Sequence, residues 1–451
     1  VPSRLLTAGA ILLIATGAAL GAHPAYAADP VAPFTVQGTP VELNSASGSA
    51  PELKPGLSRT TLPTDTTSRF GIVKRSAGES LVVTVSGFAT EKGQPYFSTD
   101  DHELSVKLKL ADENDTSCGS TISSSNSRVS KDDNLWLLST TAFVDAADTD
   151  RDTSYDDKCA TATSFLVEVT REAPATAQPL PAEILVSREP KATGTGTPAT
   201  AAQMSELVTQ PKAVGPAVAP GHGFSDAPTL KPGGYPVTLC LGETVYYRVR
   251  LEWGQRLGAS VQLPQNGSQV AVPVQTTANM TLWTPQRVPI DPSSSSDQST
   301  LSANEGDSKL LSSFTAPVAW GNRTLSYKNG TDATGKVGLN AAQWTDLPGW
   351  YYVSVTTVPF DAEAAAGAAK AKPLPATVTI DVQGQPTKGP SYVNAGNQPV
   401  AEPAAGRLSV GSEKSGDGSS TPWARIGGGV LVVLLAAAAV AWALRARRRT
   451  S

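Results

Sequence analysis

The chain carries the same signature twice. Residues 49–56 read SAPELKPG, and residues 225–233 read SDAPTLKPG. Downstream, TTSRFGIVKRSAGESLVVTV aligns with ETVYYRVRLEWGQRLGASV, which sets Phe70 against Tyr247, Ile72 against Val249, Leu81 against Leu257 and Val85 against Val261. Further on, SFLVEVT echoes WYYVSVT, and Pro179-Leu180-Pro181-Ala182 echoes Pro373-Leu374-Pro375-Ala376. The matches keep their order, which predicts two tandem copies of one fold, at 45–190 and 224–386. Any fold assigned to this chain must therefore close twice.

Within each copy the signal is strand. Val245 to Leu251 alternates, with Tyr247, Val249 and Leu251 on one face and Arg248 and Arg250 on the other. Leu81 to Val85 and Trp350 to Thr356 are rich in β-branched and aromatic residues. Asn329-Gly330, Pro348-Gly349 and Pro232-Gly233-Gly234 supply turn chemistry between such runs. The expected fold class is all-β, two tandem antiparallel β-sandwich domains, followed by one C-terminal transmembrane helix. Residues 191–223, rich in Ala, Thr, Gly and Pro, are expected to be a linker. Residues 387–425 are expected to be a stalk, and 28–44 an N-terminal segment.

Both ends are hydrophobic. Residues 1–27 have the layout of a secretory signal peptide: Arg4, an apolar stretch from Leu5 to Ala22, and the small-x-small site Ala25-Tyr26-Ala27. An uncleaved anchor is the alternative. Residues 426–444 carry no charge and span roughly 28 Å as a helix, about one hydrocarbon core. Trp423 and Trp442 lie near the edges of that run, where indoles settle, and Arg445, Arg447, Arg448 and Arg449 follow it. The positive-inside rule then places the tail 445–451 in the cytoplasm and the bulk of the chain outside it. A sortase signal needs an LPxTG-like pentapeptide, and Ser415 to Pro422 offers none. The partner expected from these ends is the cytoplasmic membrane.

The formal charge is −4, from 36 Lys and Arg against 40 Asp and Glu. Without Arg4 and the tail arginines the exported part is more acidic still, which excludes a nucleic-acid footprint. There are three cysteines, so in an oxidising compartment one stays outside any intramolecular pair. Cys118 and Cys159 share a copy and are expected to pair, stabilising the fold by roughly 4 kcal/mol on the chain-entropy model. Cys240, in the run VTLCLGE, is expected to be a buried small hydrophobe.

PGGYPVTLCLGETVYYRVRLEWGQRLGASVQL in the second copy, with GWYYVSVTT later, resembles the jelly-roll module of the bacterial pre-peptidase C-terminal family. There, a Y-x-hydrophobic strand precedes a Gly-x-x-Leu strand, and a late Tyr-Tyr-x-x-Val strand closes the sheet. The segment is also similar to the ectodomains of single-helix surface proteins of high-GC Gram-positive bacteria, some of which carry a von Willebrand A domain. The resemblance is strongest from Ala227 to Leu263. It implies a β-sandwich with a binding or spacer role, and no catalytic residues to carry over.

Chemical motifs are few. After residue 27 the histidines are His102 and His222, with no nucleophile and acid arranged around either, which argues against a Ser-His-Asp hydrolase. Asp291 to Ser295 matches DxSxS, but a proline precedes it and a serine run follows, so a polar loop is expected. Gly330 to Val337 resembles a phosphate loop with Val337 in place of the Mg²⁺-holding Ser/Thr, so a hairpin turn is expected. The best metal candidate is DAADTDRDTSYDD, where Asp148, Asp150, Asp152 and Asp156, with Asp145 and Asp157, suit Ca²⁺. Thr153 and Cys159 stand where an EF-hand needs Gly and Glu, and a solvated acidic loop is the competing reading. Trp253, Trp283, Trp320, Trp344 and Trp350 all fall in the second copy. Core packing is the expected role for most of them, and one or two lining a face for glycan or protein contact is the less favoured alternative.

Together these features point to a non-enzymatic, membrane-anchored surface protein whose sandwiches bind a cell-envelope or protein partner. The alternative is an accessory scaffold subunit of a secretion or envelope-assembly machine.

Overall fold

The computed structural model describes residues 36–92, 103–111, 116–126, 133–145, 157–173, 177–193, 196, 199, 215–240, 244–263, 276–290, 298–301, 310–324, 342–359 and 374–392. The first copy forms β1 (Thr39–Pro40), β2 (Gly56–Leu62), β3 (Arg69–Lys74), β4 (Ser80–Lys92), β5 (Glu103–Leu110), β6 (Ser117–Cys118), β7 (Ser120–Asn126), β8 (Asp133–Val144), the short helix α1 (Asp157–Thr161), β9 (Ser164–Glu172) and β10 (Leu180–Glu189). These strands lie in two sheets, β3-β9-β5-β6 (sheet I) and β1-β2-β10-β4-β8-β7 (sheet II).

Next come β11 (Ala192–Thr193), β12 (Gly233–Leu239), β13 (Thr244–Leu251), β14 (Arg256–Gln262), β15 (Thr276–Trp283), β16 (Pro289–Ile290), β17 (Gln298–Leu301), β18 (Leu310–Phe314), β19 (Gly349–Pro359), β20 (Leu374–Gln383) and β21 (Ser391–Tyr392). The second copy makes sheet III, β13-β19-β15-β16 with β17 also on β15, and sheet IV, β12-β20-β14-β18. The chain is nearly all β.

Alternation builds each sandwich. Val73, Val106, Leu108, Val167 and Val169 of sheet I face Leu81, Val83, Val85, Leu138, Val144, Ile184 and Val186 of sheet II in one buried cluster. Tyr247, Val249, Leu251, Met280, Tyr351 and Val353 of sheet III face Leu257, Val261, Leu311, Val378 and Ile380 of sheet IV in another. The inward and outward sets of β13 follow the expected alternation. The other faces of sheets II and III also meet: Phe88 and Leu137 of the first copy cluster with Tyr246, Trp283 and Tyr352 of the second. The molecule is thus four layers deep, in the order I, II, III, IV.

The repeat holds at the level of hydrogen-bonded register. Leu81 lies opposite Arg188 and Leu257 opposite Val382, while Val85 lies opposite Ile184 and Val261 opposite Val378. The expected matches on β4 and β14 therefore stand. On β3 and β13 the register differs from the sequence alignment. The short segment before each sandwich bridges Asn44 to Phe70 and Glu52 to Ile72 in the first copy, and Gly221 to Tyr246 and Thr229 to Arg248 in the second. Phe70 therefore corresponds to Tyr246, not Tyr247, and Ile72 to Arg248, not Val249. A one-residue slip moves a side chain to the other face of the sheet. Here Tyr246 and Tyr247 are both fully buried, on opposite faces, so hydrophobicity alone could not choose between them.

Two strands of the first copy, β1 on β2 and β7 on β8, have no counterpart in sheet IV among the described residues. Between β6 and β8, the first copy adds β7 to the outer edge of β8. In the same place along the chain, the second copy adds β17 to β15 in the opposite sheet.

The described ends of two segments outside the repeat, one read as a linker and one as a stalk, are hydrogen-bonded. β11 pairs with β21 through Ala192–Tyr392 and Thr193–Ser391. The Thr387 N–H donates to the Trp253 carbonyl at 2.8 Å.

Candidate functional site

The surface between sheets II and III is where chemistry concentrates. It begins at the hairpin joining β15 to β16. The Thr284 N–H donates to the Val288 carbonyl and the Arg287 N–H to the Thr284 carbonyl, each at 2.9 Å. The Thr284 hydroxyl accepts from the Gln286 and Val288 N–H groups. This tight turn puts Arg287 at φ 63°, the only positive φ among described non-glycine residues. For a residue with a Cβ that conformation costs about 1–3 kcal/mol, so the surroundings must hold it.

They do so with charge. Arg287 Nη1 donates to Glu183 Oε2 at 2.6 Å, and both side chains are 0% exposed. Glu183 Oε1 accepts from the Gln37 N–H at 2.6 Å, and Oε2 also accepts from the Ser225 hydroxyl at 2.7 Å. The Arg287 guanidinium lies 5.0 Å over the Phe224 ring. Phe224 makes edge contacts with Tyr246, Trp283 and Tyr352 at 5.1–5.3 Å. From sheet II, the Thr84 hydroxyl donates to the Gln286 carbonyl at 2.7 Å. Beside this group Val82 and Phe143 pack on Val288 and Trp344.

A second buried ion group sits at the end of β10. Glu189 pairs with Arg323, and its Oε1 accepts from Trp320 Nε1 at 3.0 Å and from the Tyr392 hydroxyl at 2.9 Å. Arg323 Nε donates to Asp346 Oδ2 at 2.5 Å. Burial works against the charge on Arg323, but Asp346, Glu189 and Asp145 outweigh it and hold the guanidinium ionised. Burial raises the Glu189 carboxyl above its ordinary value despite the pull of Arg323, and Asp346 adds to the rise.

A raised folded-state value means that folding favours the protonated form. The stability from this group is full below the ordinary carboxylate value and is lost as pH climbs through the folded one. Against Glu189→Gln, which cannot titrate, the native chain is expected to lose unfolding free energy as pH rises through that window. Urea melts across pH check this, and parallel curves for the two proteins would overturn it.

The two copies use corresponding positions differently. Trp283 lies opposite Tyr352, and its Nε1 donates to Ser354 at 2.9 Å. In the first copy Lys109 lies opposite Leu166, the counterpart of Tyr352. Lys109 pairs at 2.8 Å with Glu168, the counterpart of Ser354. Where sheet III meets sheet II the pair is aromatic and hydroxyl; on the outer face of sheet I it is ionic.

The expected site residues fall as follows. Cys118 and Cys159 form the disulfide, with Cα atoms 5.6 Å apart. Cys240 is outside it and half-buried, not fully buried as expected; the apolar run around it ends β12 at the rim of sheet IV. Asp148, Asp150, Asp152 and Asp156 lie outside the described residues, as do the 291–295 and 330–337 motifs, His102, and the anchor residues Trp423, Trp442, Arg445, Arg447, Arg448 and Arg449. Asp145 is described and fully buried, its charge acting on Arg323. Among the described residues no group of His, Cys, Asp and Glu is placed to hold a metal, and no helix is long and apolar enough to cross a membrane.

The second-copy tryptophans serve packing, the favoured reading, with Trp253, Trp320 and Trp350 only partly buried. Trp283, Trp344 and Trp350 belong to the clusters between sheets II and III. Trp320 bonds Glu189, and Trp253 packs on the second core. The buried Glu183–Arg287 pair escaped the sequence reading because neither residue sits in a motif. The available signal was Phe224, a lone aromatic in the Gly-rich run GHGF.

No family model matches the chain, and no curated protein matches it. Three solved structures share some likeness. The CBM22-1-CBM22-2 tandem domain of Paenibacillus barcinonensis Xyn10C is 10% identical, over 72% of this chain and 86% of that one, with a TM-score of 0.17. The CUB1-EGF-CUB2 domain of human MASP-1/3 is 8% identical, over 72% and 99%, at 0.15. The ANXUR2 extracellular domain from Arabidopsis thaliana is 9% identical, over 70% and 81%, at 0.15. These TM-scores are too low for any of the three to bear on this chain.

Proposed function

We propose that this chain is a non-enzymatic, membrane-anchored surface protein whose two modules act as one rigid body to bind a cell-envelope or protein partner. The observation that carries the reading is the sealed contact between sheets II and III. Two buried ion groups and a cluster of aromatics fix one module on the other, so the loops of both keep a constant spacing. Preorganisation of that kind lowers the entropy lost on binding. The Cys118–Cys159 disulfide supports an oxidising location. The apolar runs Leu5 to Ala22 and Ile426 to Leu444 support export and anchoring. On this reading the sandwiches are of the jelly-roll kind that the sequence resemblance implies. A scaffold subunit of an envelope-assembly or secretion machine is the second reading, favoured by the same rigidity.

Protease added to protoplasts displaying the full-length chain is expected to cut within 393–425 and release a soluble fragment that keeps its disulfide. A chain that stays protected, with Cys118 and Cys159 open to maleimide before any reduction, would overturn the location. Crosslinking of the full-length chain in its own membrane then separates the two readings. Capture of a surface protein or envelope polymer supports binding, and capture of membrane-embedded transport subunits supports the scaffold.

A further inference from the structure

A place that the first copy neutralises is left positive in the second. In the first copy Glu52 bridges to Ile72, and its carboxylate accepts from Lys74 Nζ at 2.9 Å on the surface. In the second copy Thr229 bridges to Arg248, so Thr229 stands for Glu52 and Arg248 for Ile72. Two residues on, Arg250 stands for Lys74. Ser164, opposite Lys74, is replaced by Trp350, opposite Arg250. The acid of the first copy is a hydroxyl in the second, and its single lysine gives way to two arginines beside an indole.

Along this face of β13 burial falls from Tyr246, through Arg248 at 8% exposed, to Arg250, whose side chain is 48% exposed. Thr229, on the other flank of Arg248, is exposed too. Arg248 Nε donates to the Thr229 hydroxyl at 3.0 Å, and the guanidinium lies 4.7 Å over the Trp350 ring. Arg248 Nη1 and Trp350 Nε1 are both buried donors with no acceptor among the described residues. No described carboxylate pairs with Arg248. Glu252 accepts from Arg250 Nε at 3.0 Å instead.

An unpaired buried donor costs the full desolvation of that group, and native proteins satisfy nearly all of them. Two such donors on stacked side chains, next to a second guanidinium, are the complement of one carboxylate. Arg250 also lies over the ring, at 5.9 Å. Its pair with Glu252 is exposed and contributes little, so Arg250 can shift to admit a ligand at small cost.

We propose that Arg248, Trp350 and Arg250 form a carboxylate-binding site that takes an aspartate or glutamate side chain of a partner protein. The carboxylate accepts from Arg248 Nη1 and Trp350 Nε1, and Arg250 leaves Glu252 to close over it. The first copy indicates the chemistry, because at this place it uses the side chain of a glutamate. The proposal rests on the binding reading above and supplies the partner's chemistry.

The test is isothermal titration of the full-length chain in detergent with an oligoglutamate peptide, and with oligoglutamine and poly(glycerol phosphate) for comparison. Saturable binding of oligoglutamate alone is expected. Arg248→Ile gives the second copy the residue that the first carries, and is expected to abolish binding without lowering the melting temperature. Trp350→Phe keeps a ring and removes the donor, and is expected to weaken binding about tenfold. No binding of oligoglutamate, or binding that survives Arg248→Ile, would overturn the site. If Arg248→Ile melts early, Trp350→Phe decides, and unchanged affinity there overturns the site. Tighter binding of poly(glycerol phosphate), lost in Arg248→Ile, would overturn the protein partner and assign the site to an anionic polymer. If crosslinking in the membrane captures a surface protein from Arg248→Ile as well as from the native chain, this site fails and the binding function stands. Capture of transport subunits alone removes the binding reading, and this proposal with it.

Discussion

Glu183→Ala is expected to lower the unfolding free energy by about 3–5 kcal/mol. The carboxylate sits between Arg287, the Gln37 N–H and the Ser225 hydroxyl, with nothing exposed. Removing it takes from the buried guanidinium the carboxylate it donates to at 2.6 Å. It also removes what holds Arg287 in its unusual backbone conformation. Replacing both charges, as Glu183→Leu with Arg287→Met, should recover most of the loss, because an ion pair exchanged for apolar groups of similar volume is often neutral. Urea unfolding followed by tryptophan fluorescence reads the effect directly, since Trp283 and Trp344 lie in the contact. The single variant is expected to unfold in two steps, the modules separating before either melts. A loss below about 1 kcal/mol, as for a surface pair, would show that the contact does not hold the modules.

The second large effect is in the first module alone. Cys118→Ser with Cys159→Ser opens a loop closed over a separation of 41 residues, which costs about 4 kcal/mol on the chain-entropy model. The module should still fold, because α1 has another tether. Arg75 is buried and donates to the carbonyls of Cys159, Ala160 and Ala162 on one side and of Glu79 and Val144 on the other. Gly119, beside Cys118, keeps the turn: at φ 75° an added Cβ would stand 1.7 Å from the Phe143 carbonyl oxygen. The expected result is a lower urea midpoint with an unchanged far-ultraviolet spectrum. Coincident melts of the oxidised and double-serine proteins would remove the prediction.

Strand class and repetition were legible in the sequence because they depend on short-range pattern. Alternation along β13 gave the faces, and Pro232 and Pro348 stand immediately before β12 and β19. The slip between Phe70 and Tyr246 marks where that pattern failed. Tyr246 and Tyr247 are both buried, and an apolar residue on each face erases the period of two. The same loss of alternation in LVVTV and WYYVSV was itself a sign of strands covered on both sides. It did not say by what. Glu183, Glu189, Arg287 and Arg323 have the look of surface charges in sequence, and only the fold brings them together across long separations. The tryptophans were split in sequence between core and open face; most of them serve the contact between modules, a place that a reading of either copy alone does not contain.

The order of the four layers has a further consequence. Sheet II of one module meets sheet III of the next, and these are not corresponding faces. Sheet II corresponds to sheet IV, and sheet III to sheet I. The contact is therefore heterologous: the operation that carries the first module onto the second leaves one face of each kind unsatisfied at the ends. Repeated, it would generate an open fibre. The outward faces that remain differ in chemistry: sheet I carries the Lys109–Glu168 ion pair where sheet III carries Trp283 and Ser354.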